Sequence, residues 1–146
     1  MRVGGLQKST LIDYPGKVAA TIFVSGCNFR CPFCHNPELV LPERIKDNKE
    51  LPLKEVFSFL EERKGFLEGV VLCGGEPTIY PDLEDFIGKI KEMGFLVKLD
   101  TNGYNPRALE NLIKKDLLDY IAIDVKAPKE KYAEAAGKEI DLSKIE

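Results

Sequence analysis

The sequence predicts an α/β protein built on a parallel sheet, and three observations predict it. Apolar β-type runs begin near residues 69, 95 and 120, about 25 residues apart. Between them lie apolar residues at helical spacing, Leu83, Phe86, Ile87, Ile90 and Met93 in one gap and Leu109, Leu112 and Ile113 in the next. Each β-type run also ends in glycine or polar residues. Strand, helix and strand at that interval read as right-handed βαβ units.

The elements follow in order. Residues 1 to 18 carry turn chemistry, Ser9-Thr10 and then Asp13-Tyr14-Pro15-Gly16, which predicts a short strand or hairpin leading into a strand at about 18–25. Pro37, Pro42 and the polar run Glu43 to Glu50 predict a long surface connection. Leu53, Val56, Phe57 and Leu60 mark a helix, with Pro52 suited to its first turn. Gly69 to Cys73 reads as a buried strand, Leu83 to Met93 as a helix ended by Gly94, and Phe95 to Leu99 as the next strand. Asn105 and Pro106 suit the cap and first position of a helix, and Tyr120 to Val125 reads as a further strand. Tyr132 to Gly137 is expected to be a short helix. Residues 140–146 read as a loop and the start of a helix, as in a frayed end or a longer protein cut short.

Composition bounds the function. A chain of 146 residues with 44% hydrophobic and 31% charged residues suits one soluble domain, 1–146. The net charge is −3 and no basic stripe is present, which argues against nucleic acid. No apolar leader segment or membrane-length run is visible, so a cytoplasmic location with reduced thiols is expected.

The stretch richest in chemistry is Gly26-Cys27-Asn28-Phe29-Arg30-Cys31-Pro32-Phe33-Cys34-His35-Asn36. Three of the four cysteines fall within eight residues, spaced C-x3-C-x2-C. Three thiolates on one short loop read as metal ligation. Three is one short of the four cysteines that usually hold a [4Fe–4S] cluster, which would leave one iron open. The alternative is zinc, with His35 or Cys73 as a fourth ligand, although zinc knuckles usually come as C-x2-C pairs. Inert buried cysteines fit poorly on a loop flanked by glycine and proline.

The expected carboxyl ends of the strands form one rim. They carry Ser25-Gly26-Cys27, then Gly74-Gly75-Glu76-Pro77, then Asp100-Thr101-Asn102-Gly103, then Asp124-Val125-Lys126. Ligands of parallel α/β sheets bind at that end. Gly74 and Gly75 let backbone approach a small polar ligand, and Glu76 suits a cation or an amino group. Asp100, Thr101 and Asp124 supply hard oxygens, and Lys126 could pair with a carboxylate. Cys73, outside these motifs, reads as a small buried hydrophobe at a strand end. His35 suits either orienting the loop or moving a proton.

The cysteine spacing, Phe33 before the third cysteine and Gly-Gly-Glu-Pro after the second strand together resemble the radical SAM superfamily. Asp13 to Gly16, Cys34-His35-Asn36, Asp100 to Gly103 and Asp124 to Lys126 narrow the resemblance to the activating enzymes of glycyl radical enzymes. Ser9 to Gly16 is most similar to the activators of anaerobic ribonucleoside-triphosphate reductases.

The resemblance implies a partial (β/α) barrel with about four βα units in this chain, further strands and helices being absent from it. It implies that Cys27, Cys31 and Cys34 hold a [4Fe–4S] cluster and that S-adenosylmethionine chelates the open iron. Gly74, Gly75, Glu76 and Pro77 would meet the methionine amino group, backbone near Phe33 the adenine, and Asn102 and Lys126 the ribose and carboxylate. Asp100, Thr101 and Asp124 match a monovalent-cation site of pyruvate formate-lyase activators. It further implies reductive cleavage to a 5′-deoxyadenosyl radical, hydrogen abstraction from a glycine of a partner enzyme, and a reduced flavodoxin or ferredoxin as electron donor. Two alternatives stay open: a radical SAM enzyme acting on a small molecule or peptide, and a non-enzymatic Fe–S or zinc module.

Overall fold

A computed structural model describes residues 1–146. Five strands form one sheet in the order β1 (Val3–Thr10), β2 (Ala19–Val24), β3 (Gly69–Gly74), β4 (Leu96–Thr101) and β5 (Tyr120–Ile123). β2 to β5 are parallel, as predicted, and β1 lies antiparallel against β2. The expected short hairpin is thus a full eight-residue strand that closes one side of the sheet.

Strand order follows chain order, so every crossover advances in the same direction. The three long helices therefore share one face, as in an open barrel. They are α3 (Leu53–Glu62), α4 (Leu83–Glu92) and α5 (Pro106–Lys114). The main core lies between them and the sheet. Ala20, Ile22, Val70, Leu72, Val97 and Leu99 meet Val56 and Leu60 of α3, Phe86, Ile87 and Ile90 of α4, and Leu109 and Leu112 of α5. Truncating a buried leucine such as Leu60 in such a core costs about 2–5 kcal/mol.

Several local signals act as expected. Asn105 Oδ1 accepts the Ala108 N–H at 3.3 Å, with Pro106 opening α5. Gly94, at φ +91°, ends α4. Pro52 caps α3 from outside rather than sitting in its first turn. Ile113, expected on the apolar face of α5, is exposed, as are Tyr120, Ile123 and Val125 along the β5 edge.

The opposite sheet face is covered by the segment after β1. Tyr14 is buried against Ala19 and Val71, and its ring lies 6.0 Å from that of Tyr120. Asp13 Oδ2 accepts the Thr21 hydroxyl at 2.8 Å. Asp-Tyr-Pro-Gly is therefore a cover as well as a turn.

The long connection after the cysteines is more ordered than predicted. Two four-residue helical turns, α1 (Pro37–Val40) and α2 (Pro42–Ile45), bury Leu39 and Val40. The later helix α6 (Tyr132–Ala136) matches its expected place, with Gly137 left-handed at φ +68°. No helix is long and apolar enough to cross a membrane.

Candidate active site

The strand ends are tied to one another before any side chain is considered. Gly75 N–H donates to Val24 O and Glu76 N–H to Gly26 O, each at 2.8 Å. Gly74 has φ +106°, and a Cβ on Gly75 would overlap the Gly26 carbonyl oxygen. The glycine pair is thus needed first for the chain's own close approach to the root of the cysteine loop.

Glu76 is a brace, which differs from its expected freedom to hold a cation or amino group. It is 1% exposed. Oε1 accepts the Thr78 N–H at 3.0 Å, the Thr78 hydroxyl at 2.5 Å and the Thr101 hydroxyl at 2.7 Å. Oε2 accepts the Asn102 N–H at 2.7 Å. The carboxylate is fully used inside the protein, joining the ends of β3 and β4. Pro77 lies behind it, buried at the start of a 3-10 turn (Pro77–Ile79) and outside the cavity wall.

Above the strand ends is a cavity of about 380 Å³. Cys27, Cys31, Phe33, Cys34 and His35 line it from the loop, Gly74, Gly75 and Glu76 from β3, Asp100, Thr101 and Asn102 from β4, and Asp124 and Lys126 from beyond β5. Every sequence-predicted site residue except Pro77 therefore meets in one place.

The first half of the cysteine loop is held firmly. Asn102 Nδ2 donates to Asn28 Oδ1 at 2.8 Å, and its Oδ1 accepts the Tyr104 N–H at 3.0 Å. Arg30 reaches back with Nη1 at 2.6 Å from the carbonyls of both Cys27 and Phe29. The Phe29 N–H donates to Cys27 Sγ at 3.3 Å. Burial pushes the Cys27 thiol up to about 11 against that hydrogen bond. Burial also raises Cys31, opposed by Lys126. Phe33 is exposed at the mouth.

The oxygens proposed for a cation are engaged with lysines or, at Thr101, with Glu76 and Gly103. Lys98, buried, donates to Asp100 Oδ1 at 2.5 Å, and its ammonium lies 5.8 Å from the Tyr120 ring centre. Thr101 Oγ1 is held by Glu76 and accepts the Gly103 N–H at 3.1 Å. Asp124 pairs with Lys126. Burial works against the Lys126 charge, but the Asp124 hydrogen bond and charge outweigh it and hold the ammonium pKa above its usual value.

Cys73 is more than a buried strand residue. It is only partly buried and lines the same cavity. Burial, then the charges of Asp100 and Asp13, push its thiol up to about 12. All four cysteines are free thiols. No three cysteine, histidine or acidic side chains converge closely enough to hold a single ion.

Sequence reasoning missed the residues that hold the loop rather than line the cavity. Asn28, Phe29, Tyr80 and Tyr132 are the main ones. Tyr80 donates its hydroxyl to the Ser25 carbonyl at the loop root. Only Asn28 and Phe29 carried a signal, lying between the first two cysteines.

The radical SAM superfamily model matches residues 21–146. A protein of Methanocaldococcus jannaschii named as a glycyl-radical enzyme activating enzyme is 42% identical over 133 residues, 90% of this chain and 53% of that protein. The pyruvate formate-lyase-activating enzyme of Clostridium pasteurianum is 31% identical over 130 residues, 86% of this chain and 52% of its own. The chain spans about half the length of these curated relatives. The crystal structure of QueE from Escherichia coli shares the fold, with a TM-score of 0.56 at 21% identity over 70% of this chain and 53% of that one. On the family match over residues 21–146, with three loop cysteines facing a glycine-lined rim, this chain belongs to the radical SAM superfamily.

Proposed function

We propose that this chain carries the radical-generating domain of a glycyl-radical enzyme activating enzyme. The observation that supports it most is the single cavity on which Cys27, Cys31 and Cys34 meet Gly74–Glu76, Asp100–Asn102 and Lys126. The relatives' names, activating enzymes of a glycyl-radical enzyme and of pyruvate formate-lyase, support a glycyl-radical enzyme as the protein substrate.

The donor set fits a [4Fe–4S] cluster. Its three thiols share one short loop and line one cavity, one fewer than the four cysteines that usually hold such a cluster. Cys27, Cys31 and Cys34 would hold it. When bound, the cluster supplies one electron to cleave the sulfonium C–S bond of S-adenosylmethionine, giving methionine and a 5′-deoxyadenosyl radical that takes a hydrogen atom from the glycine Cα.

The chain's own residues orient and enclose. Lys126 offers a positive charge to a carboxylate, and Gly74 and Gly75 present backbone to an amino group. Phe33 and neighbouring backbone offer an apolar surface to a purine. Asp100, Thr101 and Asp124 remain a proposal for a monovalent cation only if Lys98 and Lys126 release them. A reduced flavodoxin or ferredoxin is the proposed donor, the cytoplasm the proposed location, and an anaerobic ribonucleoside-triphosphate reductase the proposed partner.

The test is electron paramagnetic resonance on anaerobically reconstituted protein, a reductant, S-adenosylmethionine and the partner reductase. A glycine-centred doublet, lost in the partner's glycine-to-alanine variant, is expected. Cleavage of S-adenosylmethionine with turnover of a small molecule and no protein radical would overturn this reading.

A further inference from the structure

We infer that residues 126–146 form a clamp that holds the cysteine loop in its ligating shape, with Tyr132 and Gly137 as positioning residues. The inference rests on the reading of that loop as a cluster site. The sequence marked this segment only as a short helix with an irregular end.

The clamp is a small core of its own, separate from the one beneath the sheet. Phe29, between the first two cysteines, is 1% exposed and packs with Tyr132 and Ala136, which are equally enclosed. Cys27 and Cys31 pack against the same group, together with Tyr104, Ile140, Leu142 and Ile145. An apolar side chain inside a ligand loop is thus an anchor, buried by a segment some hundred residues away in sequence. Removing the Phe29 ring from water favours the one loop conformation that buries it.

Polar contacts fix the register. The Arg30 N–H donates to the Ala136 carbonyl at 2.7 Å. The Lys126 N–H donates to the Tyr132 hydroxyl at 3.4 Å, linking the cavity lysine to the same helix. Asp141 N–H donates to the Tyr104 hydroxyl at 3.2 Å, and the Phe29 and Tyr104 rings stand 5.5 Å apart. Gly137 is the tightest point. Its φ is +68°, and a Cβ there would overlap the Arg30 carbonyl oxygen.

The support is uneven along the loop. Residues 27–31 are gripped from both sides, by Asn102 through Asn28 and by Ala136 through Arg30. Across residues 32–35 the backbone makes one local bond, Cys34 N–H to Cys31 O at 3.1 Å, before Gly26 N–H donates to Leu39 O at 2.6 Å and closes the loop. The clamp therefore presets Cys27 and Cys31 and leaves Cys34 to adjust as a ligand arrives.

The experiment compares Gly137→Ala and Tyr132→Ala with Tyr132→Phe and with Gly65→Ala. Gly65 has a similar φ of +83° but nothing within 4 Å of a Cβ, so it controls for backbone strain alone. In metal-free protein, hydrogen exchange at residues 28–31 should rise at least tenfold in Gly137→Ala and Tyr132→Ala, with the amides of β2 to β4 unchanged. Gly65→Ala should stay near wild type, and Tyr132→Phe should rise far less than Tyr132→Ala, because the ring still fills its place and only the long bond from the Lys126 N–H is lost. After anaerobic reconstitution, the first pair should lose iron to a chelator several-fold faster than the second. Loop exchange equal to wild type in both Gly137→Ala and Tyr132→Ala would overturn the clamp, as would equal iron retention. A wild-type protein that takes up no iron would instead overturn the cluster reading, and the exchange data would still decide the clamp.

Discussion

Glu76 Oε2 accepts the backbone N–H of Asn102 at 2.7 Å, across a sequence separation of 26 residues. Through this bond a carboxylate at the end of β3 sets the backbone at the end of β4. Asn102 in turn holds Asn28 in the cysteine loop. The predicted outcome for Glu76→Ala is a loss of about 3 kcal/mol or more, because four hydrogen bonds lose their acceptor at a buried site. Glu76→Gln should lose less, since its amide oxygen still accepts. Urea denaturation measures both. An alanine variant within about 1 kcal/mol of wild type would refute the brace.

Two glycines separate close approach from backbone flexibility. Gly75→Ala should be strongly destabilised or insoluble, as its Cβ would overlap the Gly26 carbonyl between two hydrogen-bonded backbones. Gly88 sits inside α4 with nothing within 4 Å of a Cβ. Gly88→Ala should raise stability by about 0.5–1 kcal/mol through helix propensity alone. Thermal melting of both variants checks the contrast.

The thiols give a pH-dependent prediction. A thiolate, not a thiol, attacks an alkylating agent. With pKa values near 11 for Cys27 and 12 for Cys73, the reactive form is scarce at neutral pH and grows as pH rises towards those values. Iodoacetamide labelling of metal-free protein should therefore climb about tenfold per pH unit at both positions between pH 7 and 9. At a given pH Cys27 should label faster than Cys73. Peptide mass spectrometry reads the rates, and a plateau at Cys73 below pH 9 would contradict the assignment.

The parallel sheet was legible because period and spacing are local signals, and Asn105 and Gly94 act through neighbours in the chain. The rim was legible because parallel strands carry their carboxyl ends to one side, so four unconnected motifs became one site. What stayed hidden depends on long-range pairing. Nothing around Glu76 says that its carboxylate accepts from Thr101 and Asn102 rather than facing a ligand. Asp100 looked like a free oxygen ligand, but Lys98, two residues earlier on the same sheet face, takes it as a partner. Phe29 looked like a loop residue because its burial depends on Tyr132 and Ala136. Leu39 and Val40 were lost in a polar, proline-rich stretch because one turn of helix is too short for periodicity to reveal.

The cysteines support the last prediction. Cys27, Cys31 and Cys34 lie on one loop, while Cys73 is on β3, in the wall of the same cavity. Iron binding requires loss of the thiol proton, and Cys73 is the costlier of Cys27 and Cys73 to ionise, standing beside the negative charges of Asp100 and Asp13. Cys27 also starts protonated, but nearby Arg30 favours its thiolate and the clamped loop holds it in place. Single alanine variants of Cys27, Cys31 and Cys34 should therefore lose most of the iron and sulfide that wild type takes up on anaerobic reconstitution. Cys73→Ala should keep both, along with the brown absorbance near the wild-type maximum. If Cys73→Ala alone lost the metal, or if zinc bound in a one-to-one ratio that all four cysteines were needed to hold, the site would be a four-thiolate ion site, and the radical chemistry proposed for this cavity would have no open iron to start from.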